Sequence, residues 1–226
     1  MSKNKPIQLG LCCLNICMRE KKPSVFSSRK MIIKSIQEKG IDTLKEKIIQ
    51  NLKDTLTLMD WNEQHGIKVF RLSSELFPHK SNPKVEDYSF DFAIPYLKEI
   101  GRKSKQYGQR LTFHPGQYNV VGTPDEKTFL QTCEDLKYHA DVLDLMELDQ
   151  NSVIVVHGGG VYGDKEKTID RWCRLLGLYR VSRRHSVTVS DGRNDPNPSW
   201  APPEELNTRK ISRDVDALVR YSSLNE

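Results

Sequence analysis

"SVIVVHGGGVYGD", residues 152–164, decides how the chain folds. Val153, Ile154, Val155 and Val156 form an apolar run with no polar alternation, and the run ends at His157 and three glycines. A strand covered on both faces need not alternate, so this stretch predicts a strand of a parallel sheet. "RLTFHPGQYNVVG", residues 110–122, has the same form. Its short strand ends at His114, and a loop follows with Pro115, Gly116, Gln117 and Tyr118.

Working outward, strands and helices alternate. "IQLGLCC" (7–13) and "IKVFRLS" (67–73) read as strands. Between them, Leu44, Ile48, Leu52, Leu56 and Met59 recur at helical spacing from Asp42 to His65, with Asp42 as the expected N-cap and Gly66 as the stop. Residues 90–108 read as a helix with Pro95 in its first turn and Gly108 at its end, and residues 125–146 as another. This order predicts parallel βαβ units and an α/β fold.

Composition narrows the class. A chain of 226 residues, 37% of them hydrophobic, can bury one sizeable core, so a single domain or one domain with an appendage is expected. It contains no run of about 18 apolar residues. "MSKNKPIQLG" lacks the apolar stretch of a signal peptide. The expectation is an intracellular protein, cytoplasmic or nuclear, with no membrane partner. Five cysteines is an odd number, with Cys12, Cys13 and Cys17 clustered, which fits reduced thiols better than a disulfide scaffold. Cys13 and Cys17 without a second pair are weak zinc ligands by spacing. A net charge of +5 permits nucleic acid as a partner without requiring it.

Past Arg171 the chain changes character. Of 21 lysines, 20 lie in residues 1–170; of 14 arginines, nine lie in the last 56 residues. The tail offers one short β-like run and then a stretch crowded with Pro, Asn and Asp. Two readings stand: a polar extension with its own binding role, or a tail that does not continue the upstream fold, as a shifted frame, aberrant splice or truncated gene would produce. The domain reading is accordingly 1–173 for the folded part and 174–226 for a divergent tail.

Parallel α/β folds build their sites where strands end and βα loops begin. The polar residues at those places are Asn15; Arg71, Ser73, Ser74 and Glu75; His114, Gln117 and Tyr118; then His157, Tyr162, Asp164 and Lys165. One histidine at a strand end is more often structural than a ligand. Two, each ending a neighbouring strand at the same level, favour a transition-metal site, for which neutral imidazole is a common ligand. His65, His79, His139 and His185 gain no such support from position.

"GLCCLN", "FRLSSELFPHKSNP", "FHPGQYNV", "LKYHADVLDLM" and "VVHGGGVYGDK" together resemble the UV damage endonuclease family, in the family's order, from about Ile7 to Trp172. The resemblance implies part of a (β/α)8 TIM barrel, about four βα units, similar to endonuclease IV and xylose isomerase. It implies incision of double-stranded DNA on the 5′ side of UV photoproducts by a monomer using divalent metal, manganese first and zinc or magnesium as alternatives. It makes His114 and His157 metal ligands, with Asn82 at the position of another. Gln117 and Tyr118 become the pair that wedges into the duplex, and Asn15 a contact in the lesion pocket.

The residue types suit that chemistry. Clustered divalent ions lower the pKa of bound water and clamp an in-line displacement at phosphorus. A photodimer is already poorly stacked, so extruding it costs less than extruding a normal base, and an amide and a ring can fill the gap.

The chain also departs from the family pattern. Gly10-Leu11 stands where Gly-Tyr is frequent, and Asn82, with His79 three residues before it, stands where a histidine is usual. The later Glu, Asp and His ligands have no counterpart after residue 173. The resemblance thus covers the first half of a barrel, leaving an incomplete metal shell. Two other classes remain open on sequence: a xylose-isomerase-like sugar isomerase or epimerase, and a non-catalytic remnant.

Overall fold

The computed structural model describes residues 8–178 and 186–190, with side chains through Cys173. The chain divides into two compact units: residues 1–79 with 84–112, and residues 80–83 with 113–226.

In the first unit, β1 (Gly10–Cys12), β2 (Val69–Arg71) and β3 (Arg110–Thr112) form a parallel sheet in that order. Leu11, Phe70 and Leu111 lie side by side in register. Phe70 and Leu111 are fully buried. The first connection holds α1 (Ile16–Glu20), α2 (Ile33–Lys39) and α3 (Ile41–Gln64); the second holds α4 (Ile94–Tyr107). Helix α3 buries Leu44, Ile48, Leu52, Leu58 and Met59, and α4 buries Leu97 and Ile100.

Two local expectations need correction. Asp42 is not the N-cap of α3. Helix α2 ends one residue earlier, and Gly40 turns the chain with φ 82°, a conformation that favours glycine, so Asp42 falls in the first turn and pairs with Lys45 at 2.9 Å. Leu56 is only half-buried; Leu58, with Thr55, takes that part of the core face. Pro95 and Gly108 stand where the sequence put them: Pro95 in the first turn of α4 and Gly108 as a left-handed cap at its end, φ 59°.

In the second unit, α5 (Glu126–Leu145), β4 (Val153–His157), α6 (Lys165–Leu178) and β5 (Ser186–Ser190) follow in order. β4 and β5 pair in parallel, with Val155 opposite Thr188. Phe113 bridges to β4: its amide donates to Val153 O at 3.0 Å and its carbonyl accepts from Val155 N at 2.8 Å. Strand β4 is not covered equally on both faces. Ile154 and Val156 are fully buried, whereas Val153, Val155 and His157 are half-buried. Because successive side chains alternate, His157 lies on the half-open face.

Helix α6 crosses residue 173, and β5 falls within the segment read as a divergent tail. His185 and the Pro-, Asn- and Asp-rich stretch after Ser190 lie outside the described residues. No helix among the described residues is long and apolar enough to cross a membrane.

Candidate functional site

His114 and His157 come together in the second unit. Their ring centroids are 4.6 Å apart with planes inclined by 28°, a stacked arrangement. The parallel bridge from Phe113 to Ile154 sets this pairing, placing the residue after one strand beside the end of the next. His114 Nε2 is shielded from solvent. Both rings are half-buried.

Glycines shape the loop after β4. Gly159 has φ 76°, and a β-carbon there would come within 3.0 Å of Val120 Cγ1. Tyr162 is half-exposed in the same left-handed region, φ 54°, uncommon for a residue with a side chain. Asp164 serves α6: its Oδ1 accepts from Lys167 N at 3.0 Å. That amide bond, then the Lys167 side chain, holds the Asp164 carboxyl below the usual carboxylate range. Lys165 opens the helix. Neither residue is thereby assigned to the site.

The loop after Thr112 presents the second feature. Asn119 N donates to Gly116 O at 3.0 Å, closing a β-turn with Gln117 and Tyr118 at its two central positions. Both are exposed, and Tyr118 retains 83% of its surface.

Asn82 lies half-buried in segment 80–83, which Ser81 fastens to α5 by donating to Asp135 Oδ1 at 2.6 Å. Asn119 Nδ2 donates to the other oxygen of the same carboxylate at 2.8 Å. Neither Asp135 nor Asn119 stands out in the sequence for this role, since these bonds join residues far apart in the chain. His139 is 1% exposed; its Nδ1 donates to Asp135 O at 2.7 Å, so in the neutral ring Nε2 accepts from Tyr138 Oη at 3.1 Å. A structural role suits it.

Asn15 belongs to the first unit, as do Arg71, Ser73, Ser74 and Glu75. Asn15 caps α1, Oδ1 accepting from Met18 N at 3.0 Å. Its Nδ2 is buried with no acceptor among the described residues. In the same unit, His79 Nε2 meets Met31 O at 2.6 Å. Ser73 Oγ accepts from Glu75 N at 3.1 Å.

Among the described residues, no group of three or more His, Cys, Asp or Glu is placed to hold a metal ion. The two imidazoles are a pair of donors and not a complete shell. Cys12, Cys13 and Cys17 are free thiols.

Parallel strands with intervening helices and polar loops at the strand ends define an α/β protein with parallel sheets. The crystal structure of SacUVDE aligns with a TM-score of 0.74 at 23% identity, covering 95% of this chain and 68% of that one. The family model described as UV-endonuclease UvdE matches residues 7–184, and the chain belongs to that family. A protein of Acanthamoeba polyphaga mimivirus is 44% identical over 171 residues, 74% of this chain and 51% of that protein. The UV-damage endonuclease of Schizosaccharomyces pombe is 38% identical over 177 residues, 75% of this chain and 29% of that protein. The one from Neurospora crassa is 34% identical over 217 residues, 81% of this chain and 33% of that protein. The chain spans about half or less of the length of these relatives.

Proposed function

We propose that this chain carries the lesion-recognising and part of the metal-binding portion of a DNA-repair endonuclease that cuts on the 5′ side of UV photoproducts. In this reading its four βα units are the first half of a (β/α)8 barrel, and Asn82 stands near the metal site. The observation that carries the reading is the pair His114 and His157, centroids 4.6 Å apart, with His114 opening the loop that exposes Gln117 and Tyr118.

Two adjacent imidazoles fit a divalent ion of the manganese, zinc or magnesium group, nitrogen donors suiting the first two better. They fill only part of a shell of four or more ligands. When bound, the metal supplies Lewis-acid stabilisation of charge on the phosphodiester. The protein's own contribution is positional. The turn from Gly116 to Asn119 presents an amide and a ring to the gap left by an extruded dimer. The ring offers stacking worth about 1–3 kcal/mol, and the amide offers hydrogen bonds to orphaned bases. Asn15, with its buried free donor, suits a carbonyl on the lesion. A small-sugar site gives no account of a tyrosine held at 83% exposure.

The test is the affinity of the purified chain for manganese, followed by electron paramagnetic resonance, and for a UV-irradiated duplex beside an unirradiated one. The expected result is tighter binding of the irradiated duplex, and manganese binding that His114→Ala and His157→Ala each lose. Equal affinity for the two duplexes, or full metal binding by both variants, overturns the reading.

A further inference from the structure

We propose that Asp135 is a positioning residue that sets the lesion-facing turn and the Asn82 segment from one carboxylate. The inference rests on Gln117 and Tyr118 being the pair that enters the damaged duplex. Oδ2 of Asp135 accepts from Asn119 Nδ2 at 2.8 Å, and Oδ1 accepts from Ser81 Oγ at 2.6 Å. Asn119 is also the residue that closes the turn. Its backbone amide and its Nδ2 both donate to Gly116 O, at 3.0 and 3.1 Å. One side chain therefore shapes the turn and moors it to α5. Ser81 is doubly held in the same way, its carbonyl accepting from Gln131 Nε2 one turn earlier on α5.

The arrangement matters because the tip of the turn has no packing of its own. Gly116, Gln117 and Tyr118 are all exposed, so no apolar packing orders them. Ordering an exposed loop costs about 1–2 kcal/mol per residue in backbone entropy, which must be met either on folding or on binding. A bond to a carboxylate is stronger than a neutral one, and here it holds the turn before DNA arrives, which favours binding. Asp135 is itself well placed to be rigid. It sits mid-helix with 17% of its side chain exposed, and His139 Nδ1, one turn on, lies 3.6 Å from Oδ2. His139 packs edge-on against Phe113 at 4.9 Å, the residue before His114. The helix position that moors the turn is thus linked by packing to the backbone that carries the histidine pair.

The experiment measures affinity of the full chain for a duplex with one photodimer and for its undamaged counterpart, in chelator so that no cleavage intervenes. A fluorescent base analogue opposite the dimer reports unstacking. Asp135→Ala and Asn119→Ala should each lower the damaged-to-undamaged affinity ratio about tenfold and abolish the fluorescence rise. Affinity for undamaged duplex should not change. Asp135→Asn should stay near wild type, since its amide can accept from Asn119 and donate to Ser81 Oγ. If Asp135→Ala does not fold, Asn119→Ala, which cuts only the turn's mooring, decides the matter. A wild-type ratio in these variants, while a Gln117→Ala, Tyr118→Ala double variant loses it, overturns the role of Asp135 and leaves the wedge standing. A wild-type ratio in the double variant as well, or no discrimination by the wild type, removes the wedge and this inference with it.

Discussion

Gly159 and Val120 are in contact across two loops: a β-carbon on Gly159 would sit 3.0 Å from Val120 Cγ1. The loop after β4 therefore rests against the loop that carries Gln117 and Tyr118, and a β-carbon at Gly159 would require Val120 to give by a few tenths of an ångström. Helix α6 backs the same loop. Arg171 Nε donates to Gly122 O at 2.6 Å, and a β-carbon on Gly122 would meet Thr168 Cγ2 at 2.8 Å.

Gly159→Ala should act on this contact in two ways. The backbone at φ 76° becomes strained, costing about 1–2 kcal/mol, and the new methyl pushes Val120 away. Stability measured by denaturant should fall by about that amount, while the damaged-to-undamaged affinity ratio falls further than stability explains. An affinity ratio equal to wild type would mean that the contact does not set the recognition loop.

The site divides into what local sequence can and cannot announce. The adjacency of His114 and His157 was legible because each ends an apolar run and has a glycine within the next two residues, a one-dimensional pattern that parallel pairing turns into proximity. The ends of α4 were legible for a similar reason, Pro95 and Gly108 being backbone signals. Asp135 was not, because its partners are 16 and 54 residues away and a helical aspartate reads as a solvated face. Asp42 misled because it is a good cap in isolation, while the preceding helix α2 left the turn to Gly40. The unalternating β4 run suggested equal cover on both faces; the half-open face is the one that ends in His157.

Asn51 should be among the most costly residues to change in the first unit. It is fully buried on α3 and makes reciprocal bonds to the incoming loop, Oδ1 accepting from Arg29 N at 2.8 Å and Nδ2 donating to Arg29 O at 2.9 Å. Nδ2 also reaches the carbonyls of Glu75 and Leu76 at 3.3 and 3.4 Å. Asn51→Ala orphans several buried backbone groups, for a loss of about 2–3 kcal/mol. Asn51→Asp should be worse at neutral pH, since a carboxylate would face three carbonyl oxygens with no proton to offer. Urea denaturation of both variants checks the order; Asp equal to or better than Ala would mean that the donor side of Asn51 does not matter.

Tyr88 gives the first unit an alkaline limit. Its ring is buried, 4% exposed, and its hydroxyl donates to Pro78 O at 3.0 Å. Burial, and next the charge of Asp87, push its pKa well above that of an ordinary phenol. The unfolded phenol ionises near about pH 10, whereas the folded one keeps its proton to higher pH. The Tyr88 contribution is therefore fully present below about pH 10 and is lost as pH rises further. Tyr88→Phe should cost about 1 kcal/mol at pH 7 through the lost hydrogen bond. It should also make stability decline less steeply above pH 10. Tyr107 retains part of the decline, because its bond to Asp60 at 2.8 Å also raises its pKa. Denaturant unfolding of both proteins between pH 7 and pH 11 measures the difference, and parallel curves would show that the Tyr88 hydroxyl is not the group that titrates late.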